Sequence, residues 1–492
     1  GPERDRLLTF VVVGGGALAT GAGAQTLTLG AGPYPTMVRD VGPVVTQSYL
    51  IRHPASPSVR AGHANPRQDM TLNISTRQAV ISLSLCLSAA VTPNAAADFS
   101  RHGTAYKSDD GQFSYLINAR LQYDAVRFDD GRSNDLTNFD SQDGSYFRRG
   151  YVTFNAKYGQ WGARFENDFA IGVELKAVRE FWISHSLAGG EILVGQHKPF
   201  RGLEELSSSN ELSLMERPFF ATAAFGGNIA RQFQPGLFWR RPLSKTLLLQ
   251  LSAYNAHQGL GQPVGRGVGT ANRLSWIPVN TQDRLVYLGG SIGYDYFTDG
   301  NPGVRSVNYA GRSSAGGNVV GPSQRVVEIG EDAGQFFAGI EGAVGVGALH
   351  LQTEVVLTSN EDARGPDRDD QVLSYYGQAS YFLTGERKEY QSGKARFGTP
   401  HAFHNRWGAV ELTARYDSIE NLDRRAGIGS GTCLANAAVA QVGAECEAHS
   451  YTVGINYYVN PLIRVMFNLV NGYDEVSDDH TQSYNLRTQI AF

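Results

Sequence analysis

Residues suited to holding an oxyanion gather between Gly195 and Arg217. Ser207, Ser208 and Ser209 place three hydroxyls in a row, and Arg217 follows within the same stretch. Arg120, Arg148 and Arg149 lie earlier, on strand-like segments. A guanidinium presents a planar fork of N–H donors and keeps its charge at any relevant pH. Hydroxyls add neutral donors that replace part of an ion's hydration shell without trapping it, and conduction needs several moderate contacts, not one tight one. Three hydroxyls in a row with an arginine nearby suit an oxyanion better than a core, and the stretch reads as a loop that folds into a barrel and narrows it. The competing use of these arginines is pairing with Glu166, Asp168 or Glu180 across a barrel wall.

Catalytic patterns are weaker. His401 and His404 have no carboxylate-bearing helix beside them, so they read as loop residues and not as metal ligands. Gly265-Arg266-Gly267-Val268-Gly269 has the glycines of a phosphate-cradling turn but no strand–turn–helix context. Glu354, Glu386 and Glu411 could be cast as glycosidase carboxylates, yet their settings favour lumen lining or turn bonding. No enzyme activity, cofactor, metal or nucleic-acid partner is expected.

The stretch that carries the serines breaks at Lys198-Pro199, where proline removes a donor. It then runs about twenty residues without period-2 alternation, and a loop this long in an all-β chain is more often functional than connective. Around it, alternation marks strands. Tyr115, Ile117, Ala119, Leu121 and Tyr123 share one face, with Asn118, Arg120, Gln122 and Asp124 opposite. Arg148 falls on the apolar phase of Phe147 to Ala156, which calls for a strand end or a bulge, and 173–184 slips phase midway. About thirteen strands can be counted, with turn-rich connections expected between Tyr254 and Leu285.

Mean hydropathy is −0.27, and no apolar run reaches the ~18 residues of a spanning helix. A strand barrel is not excluded, since half of each strand faces water. Met70 opens a secretory signal: Arg77, an apolar run from Ala79 to Val91, and Ala95-Ala96-Ala97 before Asp98. Residues 1–69 are then upstream or leader sequence, 70–97 the signal peptide and 98–492 the barrel. Cys433 and Cys446 remain after cleavage and are expected to pair in an oxidising compartment. The span 98–492 holds 36 basic and 43 acidic residues, but fourteen acids sit in three turn-rich segments, 129–143, 361–370 and 474–479. The field at the narrow point matters more than that total.

The chain ends Tyr484-Asn485-Leu486-Arg487-Thr488-Gln489-Ile490-Ala491-Phe492, an amphipathic strand with a terminal aromatic, like the assembly signal of outer-membrane barrels. Four blocks resemble the phosphate-selective porins (porins O and P): Phe147-Arg148-Arg149-Gly150, the 195–217 stretch, Leu383-Thr384-Gly385-Glu386 with Trp407 to Tyr416, and this ending. The resemblance spans roughly 110–492. It implies a transmembrane antiparallel β-barrel of 16 strands with an inward-folded loop, a homotrimer in outer-membrane lipid, and passage of chloride, phosphate or polyphosphate. It also implies that Arg120, Arg148, Arg149, Ser208, Ser209 and Arg217 form the anion-binding constriction. One departure is Glu205, where strongly phosphate-selective members are expected to carry lysine, and an acid there would weaken phosphate binding. Arg487 is expected to be a remote lumen residue. A general or cation-preferring porin, or a secreted all-β hydrolase or adhesin, are the alternatives.

Overall fold

The computed structural model describes residues 103–129, 143–173, 177–221, 233–256, 266–298, 304–308, 323–328, 333–362, 369–400, 403–425, 445–475 and 479–492. The leader assignments at 1–97, His401 and Cys433 lie outside these residues. Sixteen strands form a closed antiparallel ring. They are β1 (Phe113–Asp129), β2 (Gly144–Tyr158), β3 (Trp161–Asp168), β4 (Val178–Leu187), β5 (Gly190–His197), β6 (Gln234–Pro242), β7 (Leu247–Tyr254) and β8 (Arg266–Asn280). The ring continues through β9 (Arg284–Thr298), β10 (Gly334–Val346), β11 (Leu349–Asn360), β12 (Asp370–Phe382), β13 (Ala409–Arg425), β14 (Glu445–Tyr458), β15 (Ile463–Asp474) and β16 (Asp479–Ala491). Each strand pairs with the next, and β16 returns to β1 with Ala491 opposite Arg120. Phe492 closes the seam by exchanging backbone hydrogen bonds with Ala119, at 2.9 and 3.0 Å. The short strand Thr104–Lys107 covers the remaining β1 edge at Ser114–Ile117. Closure leaves no edge to recruit foreign strands.

The two faces of the ring are inverted relative to a soluble protein. On β11, Leu349, Leu351 and Leu357 are exposed, whereas His350, Gln352, Glu354, Thr358 and Asn360 are buried. Phe154, Phe165, Leu274, Trp276, Ile340, Val453 and Phe467 continue the exposed apolar surface. A barrel that hides its polar face and shows its apolar one is stable only with lipid around it. Among the described residues no helix is long and apolar enough to cross a membrane; strands form the wall.

Both phase slips in the sequence are bulges. Gln122 faces Arg149 and Tyr123 faces Phe147, which makes Arg148 the extra residue. Glu166 faces Glu180 and Asn167 faces Val178, which leaves Arg179 as the extra residue. A bulge turns two successive side chains to one face, so Arg148 and Arg149 are both buried inside. One expectation fails: β8 fills a region taken for turns. Its inward Ala271, Arg273 and Ser275 alternate with outward Thr270, Leu274 and Trp276. Glycines at 267 and 269 and Pro278 masked this pattern, and the register shift opposite Pro278 accommodates its missing N–H.

Cys446 is buried on β14 and disulfide-bonded. At one end of the barrel, hairpin connections are short: 159–160, 188–189, 243–246, 281–283, 347–348 and 459–462. The exception is 383–408, between β12 and β13, which carries the short pair Glu389–Gln391 and Arg396–Gly398.

Candidate anion-contacting constriction

The connection from β5 to β6 enters the lumen at once. Gly202 takes φ +70°, a region open to glycine, and turns the chain into the four-residue helix α1, Leu203–Leu206. The first N–H groups of a helix lack intrahelical partners. Here Glu354 of β11 accepts those of Leu203 and Glu204 at 2.7 and 2.8 Å. A loop inside a barrel must find partners for its backbone, and the wall supplies them strand by strand. Gln122 donates to the Ser209 carbonyl at 3.2 Å, Arg464 to Leu212 at 2.9 Å, Asn456 to Ser213 at 2.7 Å and Arg415 to Glu216 at 3.0 Å. Asn468 and Asp417 accept from the Met215 and Phe219 amides, each at 2.8 Å. Ser213 donates to Glu411 at 2.6 Å, so Glu411 tethers the loop. Leu203 packs with Ile277, Leu285 and Tyr287, and Phe220 stacks on Tyr376. Tethers from this many strands hold the loop in one geometry.

The six predicted residues are not equivalent. Arg120 donates to Ser209 Oγ at 2.8 Å and Ser208 Oγ at 3.4 Å, and its guanidinium lies 3.9 Å from the Tyr151 ring centroid. Among the described residues no carboxylate pairs with it, and its Nε is buried without a hydrogen-bond acceptor. Arg149 donates to Gln122 Oε1 at 2.8 Å. Arg148 is held by a two-pronged pair with Glu216, both contacts 3.0 Å. Arg217 donates to the Ser207 carbonyl at 2.6 Å and the Glu204 carbonyl at 3.1 Å, and lies 3.8 Å from Glu205. It braces the loop beside the serines, with those donors aimed at carbonyls. Glu205 is 3% exposed, and Lys198 Nζ approaches it to 3.3 Å. Arg487 is not remote: it donates to Asp124 at 2.7 Å through both Nε and Nη2, to Glu216 at 3.1 Å and to the Met215 carbonyl at 2.8 Å. Periodicity showed which face Arg487 lies on but could not show that the loop would reach it.

The 383–408 segment was missed as part of this region. Arg396 donates to the Leu206 carbonyl at 3.0 Å and lies 3.8 Å from Glu211, to which Gln391 donates at 2.8 Å. Arg273 holds the Ala395 carbonyl at 2.9 Å, and Phe397 packs on Tyr287 and His350. The available signal was length: a long insertion where the other connections at that end are short. Glu386 and His404 only fasten its base, the His404 amide donating to Glu386 at 2.8 Å. A cavity of about 210 Å³ remains between wall and loop, lined by Arg120, Tyr151, Arg164, Glu166, Ser208 and Glu211 among others.

Burial pulls the Lys198 ammonium down to about 7, with Arg217 adding to the effect and Glu205 opposing it. Raising the pH through neutrality removes this positive charge. Anion preference is therefore expected to fall between pH 6 and 8, and Lys198→Met to flatten the profile. An unchanged pH dependence in that variant would assign it to another group.

A closed barrel with an apolar exterior, a polar lumen and a loop tethered across its inside defines an outer-membrane porin. The profile of the family described as "Phosphate-selective porin O and P" matches residues 116–492, and the chain belongs to that family. Porin O of Pseudomonas aeruginosa is 24% identical over 416 residues, 80% of this chain and 92% of that protein. An anion-selective porin from Comamonas acidovorans superposes with a TM-score of 0.49 at 12% identity, over 77% of this chain and all of that one. OmpT, an outer membrane protein of Vibrio cholerae, gives 0.49 at 10% identity, over 79% and 100%.

Proposed function

We propose that the protein is an anion-preferring diffusion channel in which Arg120, with Ser208 and Ser209, is the contact a passing anion meets. The observation that carries this is Arg120's partnership with hydroxyls in place of a carboxylate, at the wall of a lumen cavity. Most other lumen arginines spend their charge on acids: Arg148 on Glu216, Arg164 on Glu166 and Glu180, Arg201 on Asp295, Arg273 on Glu341 and Arg487 on Asp124. Such pairs add little net field. Arg149, which donates to Gln122, likewise has no carboxylate ion-pair partner among the described residues. The family's description adds phosphate to chloride as a solute of this pathway. Polyphosphate and homotrimeric assembly enter on the family resemblance, as expectations of the same reading.

Channels reconstituted in a planar bilayer under a potassium chloride gradient test this. The zero-current potential should carry the sign of chloride preference. The sign of potassium preference would mean that the acidic outer segments dominate the field, and the general-porin alternative would replace this one.

A further inference from the structure

The lumen loop makes a tight turn where it lines the cavity. The Glu211 amide donates to the Ser208 carbonyl at 2.8 Å, and the Asn210 amide to Ser208 Oγ at 3.4 Å. A four-residue turn of this kind keeps its first and last Cα atoms within about 7 Å. Ser208, Asn210 and Glu211 all line the cavity, and Arg120 Nη1 lies 3.4 Å from Ser208 Oγ. The turn thus brings the Arg120 guanidinium to one of its ends and the Glu211 carboxylate to the other.

Of the charged side chains that line the cavity, Arg164 and Glu166 are spent on each other, at 2.8 Å. Glu166 also takes the Thr153 hydroxyl at 2.7 Å, and Glu180 takes Arg164 at 2.7 Å. Arg120 and Glu211 remain. Arg120 meets hydroxyls and no carboxylate among the described residues. Glu211 Oε1 accepts from the neutral Gln391 amide at 2.8 Å. The Arg396 guanidinium stops 3.8 Å from Glu211, with Nε turned to Gln391 at 2.8 Å and Nη1 to the Leu206 carbonyl at 3.0 Å. Among the described residues no cation hydrogen-bonds Glu211, which leaves one cation and one weakly compensated acid on the same small cavity.

We propose that this cavity takes a small zwitterion, an α-amino carboxylate, with its carboxylate on Arg120 and Ser208 and its ammonium on Glu211. The proposal rests on the reading of Arg120 as the solute contact. A plain monoanion held by Arg120 would set its apolar end against Glu211 and leave that carboxylate unmatched. An ammonium one carbon from the carboxylate supplies the opposite charge and three donors. A site built to hydrogen-bond a polar group of its solute rejects the analogue that lacks it. The volume of about 210 Å³ is below the roughly 300–1,000 Å³ of pockets for drug-sized ligands, so only short side chains fit.

The test uses the whole protein in planar bilayers at neutral pH. Glycine and propionate have nearly the same shape, with a methyl in propionate where glycine has its ammonium. Each is added separately, and the concentration that halves the chloride current is read. Glycine should act at several-fold lower concentration than propionate, although it carries no net charge. No block by glycine, or block only at the concentration of propionate or above, would overturn the zwitterion assignment and leave chloride preference standing. A potassium-preferring channel would remove both readings. Glu211→Gln keeps an acceptor for Gln391 and should weaken glycine block about tenfold, the effect of losing one charge-assisted contact, without weakening propionate. Equal loss for both solutes would make Glu211 a fastening for the hairpin and overturn its role toward the ammonium. The comparison in the unaltered protein decides the matter even where Glu211→Gln fails to assemble. Arg120→Gln should weaken block by both solutes; glycine block retained in that variant would place the solute elsewhere and overturn the proposal.

Discussion

Arg487→Ala is expected to destabilise the folded barrel by on the order of 3–5 kcal/mol, the range for removing one partner of a buried ion pair. Arg487 and Asp124 have side chains 1% exposed, and two 2.7 Å hydrogen bonds join them. Alanine would leave the Asp124 carboxylate buried with its cation gone. It would also strip a donor from the Met215 carbonyl and a cation from Glu216, so the loop would loosen where it crosses β16. The readout is the temperature at which the unboiled protein loses its folded mobility on a gel, together with current noise in single channels. Arg487→Ala combined with Asp124→Ala should recover most of the lost thermal resistance, because the uncompensated charge goes too. A single variant with unchanged melting and a quiet current would show that the loop does not depend on this anchor.

Arg120→Ala is expected to act on the solute instead of the scaffold. A hydrogen bond from a charged group contributes about 1.5–3 kcal/mol. At ~1.4 kcal/mol per decade, its loss should lower anion occupancy by roughly tenfold or more. The serines would keep their backbone positions, since Gln122 holds the Ser209 carbonyl and α1 holds Ser207. The barrel should therefore melt as the parent does, while the concentration of phosphate needed to block chloride rises about tenfold. Loss of folding without a change in block would make Arg120 a structural residue.

The wall of this molecule could be read from its sequence, and the way its lumen is filled could not. Alternation placed Arg120, Arg149 and Thr153 on the inward face, and the odd phase of Arg148 required the bulge that turns it inward. Strand β8 escaped because its glycines and Pro278 carry no alternation signal, although its neighbours pin it by register. The loop 198–221 announced itself through length and serines. Its partners did not: the contact from Arg487 to Met215 joins residues 272 apart in sequence, which no local pattern reports. Glu205 was legible as an acid among site residues, but whether it faced the solute or the loop's own cations depended on where Lys198 and Arg217 ended up. The insertion at 383–408 was visible only as a long interval between strands. Its aromatic attachment to Tyr287 and His350 requires the closed ring to exist first.

The most direct measurement compares zero-current potentials of Arg120→Ala and Arg217→Ala channels with the parent under one potassium chloride gradient. If Arg120 contacts the solute and Arg217 braces the loop through the Glu204 and Ser207 carbonyls, Arg120→Ala should move the potential strongly toward potassium. Arg217→Ala should leave it nearer the parent value while increasing current noise. Equal shifts in the two variants, or a larger one for Arg217→Ala, would contradict the placement of the selectivity contact at Arg120.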